Sequence, residues 1–373
     1  GARITILEKK EDLMRGMLDR DMALHVQAEL NRKGIKILTN CQVNQVESVG
    51  TSLRIRTSSG SHDADLIIIS AGVAPNVELA RNAGLKIGAS GGIGVDRHLK
   101  TSEDSVFAVG DCAESIHLLT GKHEYWPLGS VSTKMGRIVA DNICGRAVEF
   151  PGSVGTALFR IRDLNVARTG LTTRSAWKED FDVISTVVAG KDHASAGQNG
   201  EDLIMLKIIA DRKSGRLLGA QCFGRGNVAG KIEIAAIAIS NGLTLIDVFR
   251  QDLGYSPAHN NPIELTQTAC LMAQNKIDEL VSVITPDELD THEGPIHIVS
   301  VCPANTHQEH EIPGSINIPL ERLRSERLPF PKSAPIVVYS STSAGAYKAY
   351  RYLALHGYTS VRVLEGGYLF WKR

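Results

Sequence analysis

Between Thr101 and Glu114 the chain reads TSEDSVFAVGDCAE, a short apolar run that ends on Gly110 and Asp111. A glycine directly after a buried strand lets a ligand come close to the backbone. A carboxylate fixed at the strand's C-terminal end can accept hydrogen bonds from the hydroxyls of a sugar-alcohol chain. A strand that merely ends in a Gly-Asp turn has the same local pattern, so the flanking sequence decides between turn and ligand site.

Upstream, ITILEKK (Ile4 to Lys10) is an apolar strand closing on Glu8, and an amphipathic helical stretch follows from Asp21 to Lys33. In a dinucleotide-binding βαβ unit the acid that ends the second strand accepts hydrogen bonds from the adenosine ribose and repels the extra phosphate of NADPH. Glu8 is the candidate for that role and favours NADH. The glycine fingerprint GxGxxG belongs about 20 residues before such an acid, and it is absent from this sequence. Further on, DLIIISAGVAPN (Asp65 to Asn76) predicts a strand over Leu66 to Ser70 buried on both faces, as parallel sheets require. Its Ala71-Gly72 turn lets the backbone approach a nucleotide or simply leaves the strand. A β excursion then returns to Thr101. After the Gly-Asp motif, EYWPLGSVSTKMGRIVADNICG (Glu124 to Gly145) predicts a loop into a helix starting near Ser130 or Ser132, with small residues and Gly136 on its packing face. Trp126 reads as hydrophobic packing.

From about Gly152 the pattern changes to successive strands, a β-hairpin around Arg212 to Gly215, and a helix, which predicts an antiparallel sheet with helices on one side. Asp252 to Asn275 carries Tyr255, then Pro257, then a carboxylate, Glu264. In the last ninety or so residues strands alternate with helices at the spacing of a small α/β domain, with EIPGSINIPL between Glu311 and Leu320 and Glu-Gly-Gly at 365–367.

Together these segments resemble the pyridine nucleotide-disulfide oxidoreductases, and the last resembles a rhodanese domain. The resemblance implies an α/β chain: partial FAD- and NAD(P)-binding Rossmann-like domains, an α+β dimerisation domain and a C-terminal rhodanese-like α/β domain. It implies FAD and NAD(P)H, with NADH favoured, as cofactors and a homodimer. Gly110 and Asp111 would hold the ribityl chain, Glu8 the NAD ribose, and Gly72 a close nucleotide. Pro127, Leu128 and Gly129 would line the isoalloxazine ring, where a helix N-terminus favours negative charge. The segment from Asp252 is similar to the coenzyme A disulfide reductase and persulfide reductase branch, in which Tyr255 matches a tyrosine that reaches the partner subunit's active-site thiol. A phenol there can stabilise charge on sulfur. The chain departs from that branch at Ser256-Pro257-Ala258 and at Glu264-Leu265, where Pro-Pro and Asp-Pro are usual, and a tyrosine beside proline can equally serve packing. In the family, hydride passes from nicotinamide to flavin, and electrons then pass to a cysteine that forms a mixed disulfide with the substrate.

The rhodanese-like domain lacks the chemistry its fold implies. A sulfurtransferase needs a thiolate after the strand that ends on Tyr339, and the chain has Ser340 there. The loop SSTSAGA has no basic residue, and the Asp and Arg expected after the earlier strand are Ser300 and Cys302. The expectation is a catalytically silent domain with Cys302 a buried or incidental thiol.

The expected boundaries are 1–95 for the partial NAD(P)-binding domain, 96–150 for the C-terminal part of the FAD-binding domain, 151–275 for the dimerisation domain and 281–373 for the degenerate rhodanese-like domain. At 373 residues with 43% hydrophobic and 22% charged, the chain can bury a core in two to three domains. Lys+Arg and Asp+Glu are both 41, so no net charge draws it to nucleic acid or anionic lipid. No apolar run reaches the ~20 residues of a membrane span. Six cysteines without CxxC or metal-like spacing predict reduced thiols in the cytoplasm, and no metal site.

The expected function is therefore the C-terminal portion of an FAD-dependent NAD(P)H:disulfide oxidoreductase acting on a CoA disulfide or a persulfide. The redox cysteine lies outside this N-terminally truncated chain, which is expected to be inactive alone. Two alternatives are an NADH oxidase or peroxidase of the same superfamily, and a non-catalytic module that dimerises and binds a sulfur carrier.

Overall fold

A computed structural model describes residues 2–193 and 203–372 in two compact units. The first comprises the residues up to Leu13 together with Gly34–Ala157; the second comprises Met14–Lys33 and the residues from Leu158 onward.

In the first unit Thr5–Leu7 and Lys36–Leu38 pair in parallel. Val43–Val49, Ser52–Thr57 and Gly60–Ala64 form an antiparallel sheet. The core gathers Ile93, Val95, Leu99, Ala108 and Ala113 against Val131, Met135 and Phe150. Two expectations fail here. Leu66 to Ser70 is not a strand, and Leu66, Ile68 and Ile69 are 77%, 84% and 81% exposed. A parallel strand is buried only when strands flank it and helices cover it, and among the described residues nothing pairs with 65–76. Gly136 does not carry the packing of the Gly129–Ile143 helix: a Cβ there would meet nothing within 4 Å. Val131 and Met135, one turn apart, form the buried face.

The second unit is built on a five-stranded antiparallel sheet ordered Val183–Lys191, Leu203–Asp211, Leu217–Gly224, Leu164–Gly170, Ala157–Ile161. Every residue of Leu217–Gly224 is buried. The backbone comes so close at Gly219 that a Cβ would lie 1.9 Å from the Leu171 carbonyl oxygen, so only glycine fits. The Arg20–Arg32 helix is held to the sheet by Asp19, whose carboxylate accepts from the Thr173 hydroxyl (2.7 Å) and Gln221 Nε2 (3.0 Å) and faces Lys207 Nζ at 3.1 Å. Burial pushes this carboxyl up, but the Lys207 charge and the Thr173 bonds outweigh it and hold it below the usual carboxylate value.

The C-terminal part of the same unit has a parallel sheet ordered Val283–Ile284, Val361–Leu364, Ile336–Tyr339, His297–Ser300, Ile316–Asn317. Its core holds Ile284, Val337, Tyr339, Leu364 and Tyr368. The carboxylate of Glu365, 6% exposed, accepts from Lys276 Nζ (2.9 Å) and the Thr186 hydroxyl (3.0 Å) and so joins this sheet to the antiparallel one. The His25 ring, 4.5 Å from Phe370 and 5.7 Å from Phe223, stacks at the same junction.

Candidate functional site

The chain reaches Gly110 after Ala108 enters the core, and Gly110 turns with φ +78°, a conformation that favours glycine. The turn leaves Asp111 exposed, with one carboxylate oxygen accepting from the Ser132 hydroxyl at 2.7 Å. Ser132 lies in the first turn of the Gly129–Ile143 helix, whose N-cap, Leu128, supplies no side-chain acceptor. The Val131 and Ser132 N–H groups donate to the Leu128 carbonyl (2.9 and 3.0 Å), while Gly129 and Ser130 ahead of them are exposed with no side-chain cap. Burial, followed by the Asp111 and Cys112 charges, pushes the Tyr125 phenol above its ordinary value. The structure thus brings Gly110, Asp111, Tyr125 and Ser132 together.

Of the predicted lining residues, Leu128 packs on the core, Pro127 is half-buried and Gly129 opens the helix. Trp126 packs as expected: a Cβ on Gly155 would come within 2.3 Å of its ring, and His117 tilts against it at 5.7 Å. Sequence reasoning assigned no role to Tyr125 and treated Ser132 only as a helix start. The spacing of Ser132 from the helix N-terminus was the available signal. A free carboxylate edge beside an uncapped N-terminus fits a flavin, offering acceptors to ribityl hydroxyls and donors to ring oxygens.

Glu8 directly follows the Thr5–Leu7 strand and is half-buried, and its Oε1 accepts from the Lys10 N–H at 2.8 Å. The second oxygen takes no hydrogen bond from the described residues. Gly72, φ +100°, has open space where a Cβ would stand.

Tyr255 is 51% exposed, in the loop before the Leu265–Ile277 helix. That loop is anchored below. Lys231, 2% exposed, contacts Glu264 Oε1 (2.8 Å) and Asp192 Oδ1 (3.0 Å) and donates to Asn260 Oδ1 (3.1 Å). Asn260 in turn donates to the Gly254 carbonyl at 3.2 Å. Glu264 caps the helix by accepting from the Thr266 N–H. Sequence reasoning matched Glu264 only as a carboxylate and missed Lys231 and Asp192.

Ser340 follows Tyr339 as expected, 8% exposed. Its hydroxyl donates to the Thr342 carbonyl and accepts from the Ala346 N–H, so it closes its own loop. All six thiols are unpaired, and Cys302 is buried. No group of three His, Cys, Asp or Glu among the described residues is placed to hold a metal ion, and no described helix is long and apolar enough to cross a membrane. A cleft of about 340 Å³ runs by Asn165, Gly226 and Asn227, and none of the predicted site residues lines it.

The family profile "Pyridine nucleotide-disulphide oxidoreductase" matches residues 1–136, its dimerisation domain 156–266 and "Rhodanese-like domain" 285–373. A solved NAD-dependent persulfide reductase from A. fulgidus is 33% identical, with a TM-score of 0.92, over 99% of this chain and 67% of that one. The chain belongs to the pyridine nucleotide-disulphide oxidoreductases. Its similarity within that family includes the reduced Bacillus anthracis CoADR-RHD, at TM-score 0.90 and 28% identity over 100% of this chain and 66% of that one. It also includes the CoA-dependent NAD(P)H sulfur oxidoreductase of Pyrococcus furiosus, 35% identical over 69% of this chain and 58% of the relative. The chain thus spans less than two thirds of the length of that curated relative.

Proposed function

We propose that this chain serves in an FAD-dependent NAD(P)H oxidoreductase that reduces a disulfide or persulfide, CoA-linked species included, as a homodimer. The observation that carries the reading is the exposed Asp111 carboxylate held by Ser132 beside an uncapped helix N-terminus. Bound FAD and NAD(P)H supply hydride and electron transfer. This chain's residues bind and orient: Asp111 accepts ribityl hydroxyls, the helix N-terminus favours negative charge at the ring, Glu8 accepts a ribose hydroxyl and selects NADH, and Gly72 admits close nucleotide approach. Tyr255 donates to a substrate or partner sulfur. The domain boundaries given above follow these roles, and six unpaired thiols support a reducing compartment, the cytoplasm.

Turnover belongs to the whole protein. The chain alone, incubated with FAD and desalted, should show no retained flavin absorbance bleached by NADH; stoichiometric flavin that bleaches would give the activity to the chain itself. In the whole protein, Asp111→Ala should lower FAD retention about tenfold, the effect of ~1.4 kcal/mol; unchanged retention would remove Asp111 from the site. The rhodanese-like domain is silent at position 340, because a hydroxyl cannot carry a persulfide. Ser340→Cys should give at most weak thiosulfate sulfurtransfer, and brisk transfer would overturn this reading of the loop. An NADH oxidase is the second reading, favoured by the Methanocaldococcus jannaschii protein of that name at 29% identity over 69% of this chain. The persulfide reductase accounts for the C-terminal domain as well, which supports the sulfur reading.

A further inference from the structure

The backbone on both sides of Tyr255 is held by one residue. The Asn260 side chain donates through Nδ2 to the Gly254 carbonyl at 3.2 Å, and the Asn260 and His259 N–H groups both donate to the Ser256 carbonyl at 2.9 Å. The carbonyls just before and just after Tyr255 are therefore engaged, while its side chain stays 51% exposed. The ends of the loop are tied as well. Gln267 Nε2 donates to the Phe249 (3.0 Å) and Gln251 (2.8 Å) carbonyls, and Asn261 Nδ2 donates to the Lys191 carbonyl at 2.8 Å. A segment ordered in advance loses less freedom when it engages a ligand.

The direction of the Asn260 amide is set from below by Lys231. An ammonium has three donors and no acceptor. Lys231 Nζ faces Glu264 Oε1 (2.8 Å) and Asp192 Oδ1 (3.0 Å), and its remaining donor reaches Asn260 Oδ1 (3.1 Å). The amide oxygen is thereby committed to the ammonium, which leaves the amide NH2 for the Gly254 carbonyl. Burial works against the Lys231 charge, but Glu264 and Asp192 outweigh it and hold the group above its ordinary value, so the anchor stays charged at neutral pH. A buried ion cluster is a poor source of stability, and its best-attested use is to fix one arrangement among several. Here the arrangement fixed is the backbone that presents an exposed phenol.

We infer that Asn260, oriented by Lys231, is a positioning residue that aims the Tyr255 phenol at the sulfur it serves. The inference rests on the reading of Tyr255 as a donor to a substrate or partner sulfur. Such a donor stabilises charge only when its O–H points to where that charge develops, and a misplacement of ~1 Å can cost about a hundredfold in rate. Neither Asn260 nor Lys231 touches the sulfur. Asn260 acts through the carbonyls on either side of Tyr255, and Lys231 acts through Asn260.

The first test uses hydrogen exchange on the intact chain. Asn260→Ala should speed amide exchange over residues 252–260 about tenfold more than over Leu217–Gly224, the order of one hydrogen bond to a charged group; equal changes in the two segments would overturn the proposal. The second uses the whole flavoprotein with CoA disulfide as the probe. Tyr255→Phe and Asn260→Ala should each lower kcat/KM about tenfold. Adding Asn260→Ala to Tyr255→Phe should lower it less than about twofold further, because no phenolic O–H is left to aim. A residue that only holds the fold would act alike in both backgrounds, so full additivity would overturn the proposal. Asn260→Asp keeps the acceptor for Lys231 and removes the donor to Gly254, so it should reproduce the loss even where the alanine variant misfolds. A slow Tyr255→Phe beside wild-type rates in both Asn260 variants would overturn this inference and leave the tyrosine reading standing; an unaffected Tyr255→Phe would remove both.

Discussion

Two apolar stretches of this chain, Leu66 to Val73 and Leu217–Gly224, read alike as sequence and end in opposite environments. The second is buried at every residue, while the large side chains of the first are exposed by up to 84%. Hydrophobicity does not separate them; hydrogen-bonded neighbours do. Leu217–Gly224 pairs with a strand on each edge, and a stretch without ladder partners has no reason to stay extended and covered.

The sharpest way to break this contrast is to attack what packs over the buried strand. Lys231 holds two buried carboxylates, and its charge acts on Cys222, whose thiol burial pushes well up. Lys231→Met leaves those carboxylates unpaired and should cost about 3–5 kcal/mol in urea denaturation; a loss under ~1 kcal/mol would show that the site relaxes. Leu217→Ala, in the buried strand, should cost about 2–5 kcal/mol, whereas Ile68→Ala should change stability by no more than about 0.5 kcal/mol. Equal losses at the two positions would erase the difference between the stretches. Ile68→Lys should lower self-association in light scattering without changing the melting curve, since an exposed apolar run is a docking or aggregation liability.

The smallest expected effect is a pH dependence within the second unit. The folded Asp19 carboxyl lies below its ordinary value of 3.8. Its contribution is therefore complete above that pH and is lost as pH falls through the lower folded value. Asp19→Asn should flatten the acid limb of a stability-against-pH curve. An unaltered limb would assign acid unfolding to other groups.

How much of this was legible in sequence follows the same division. The Gly110-Asp111 turn and Ser340 were readable because each depends on a local order, strand then turn, which the chain spells out. The environment of Leu66 to Ser70 was not, because burial belongs to neighbours and not to the segment. Lys231, Asp192 and Glu264 are separated by 30 or more positions, and no periodicity announces a three-way contact. Asn260, which bonds to Lys231 across 29 positions, escaped for the same reason.

The Glu365 carboxylate, shared between Lys276 and Thr186, has a consequence for modularity. A rhodanese-like domain is readily pictured as a detachable cassette, yet cutting this chain after residue 280 would leave the largely buried Lys276 ammonium with the Ser185 carbonyl and without its counter-charge. The two sheets should therefore melt in one calorimetric transition. Moving this domain onto another protein would have to carry the lysine with it.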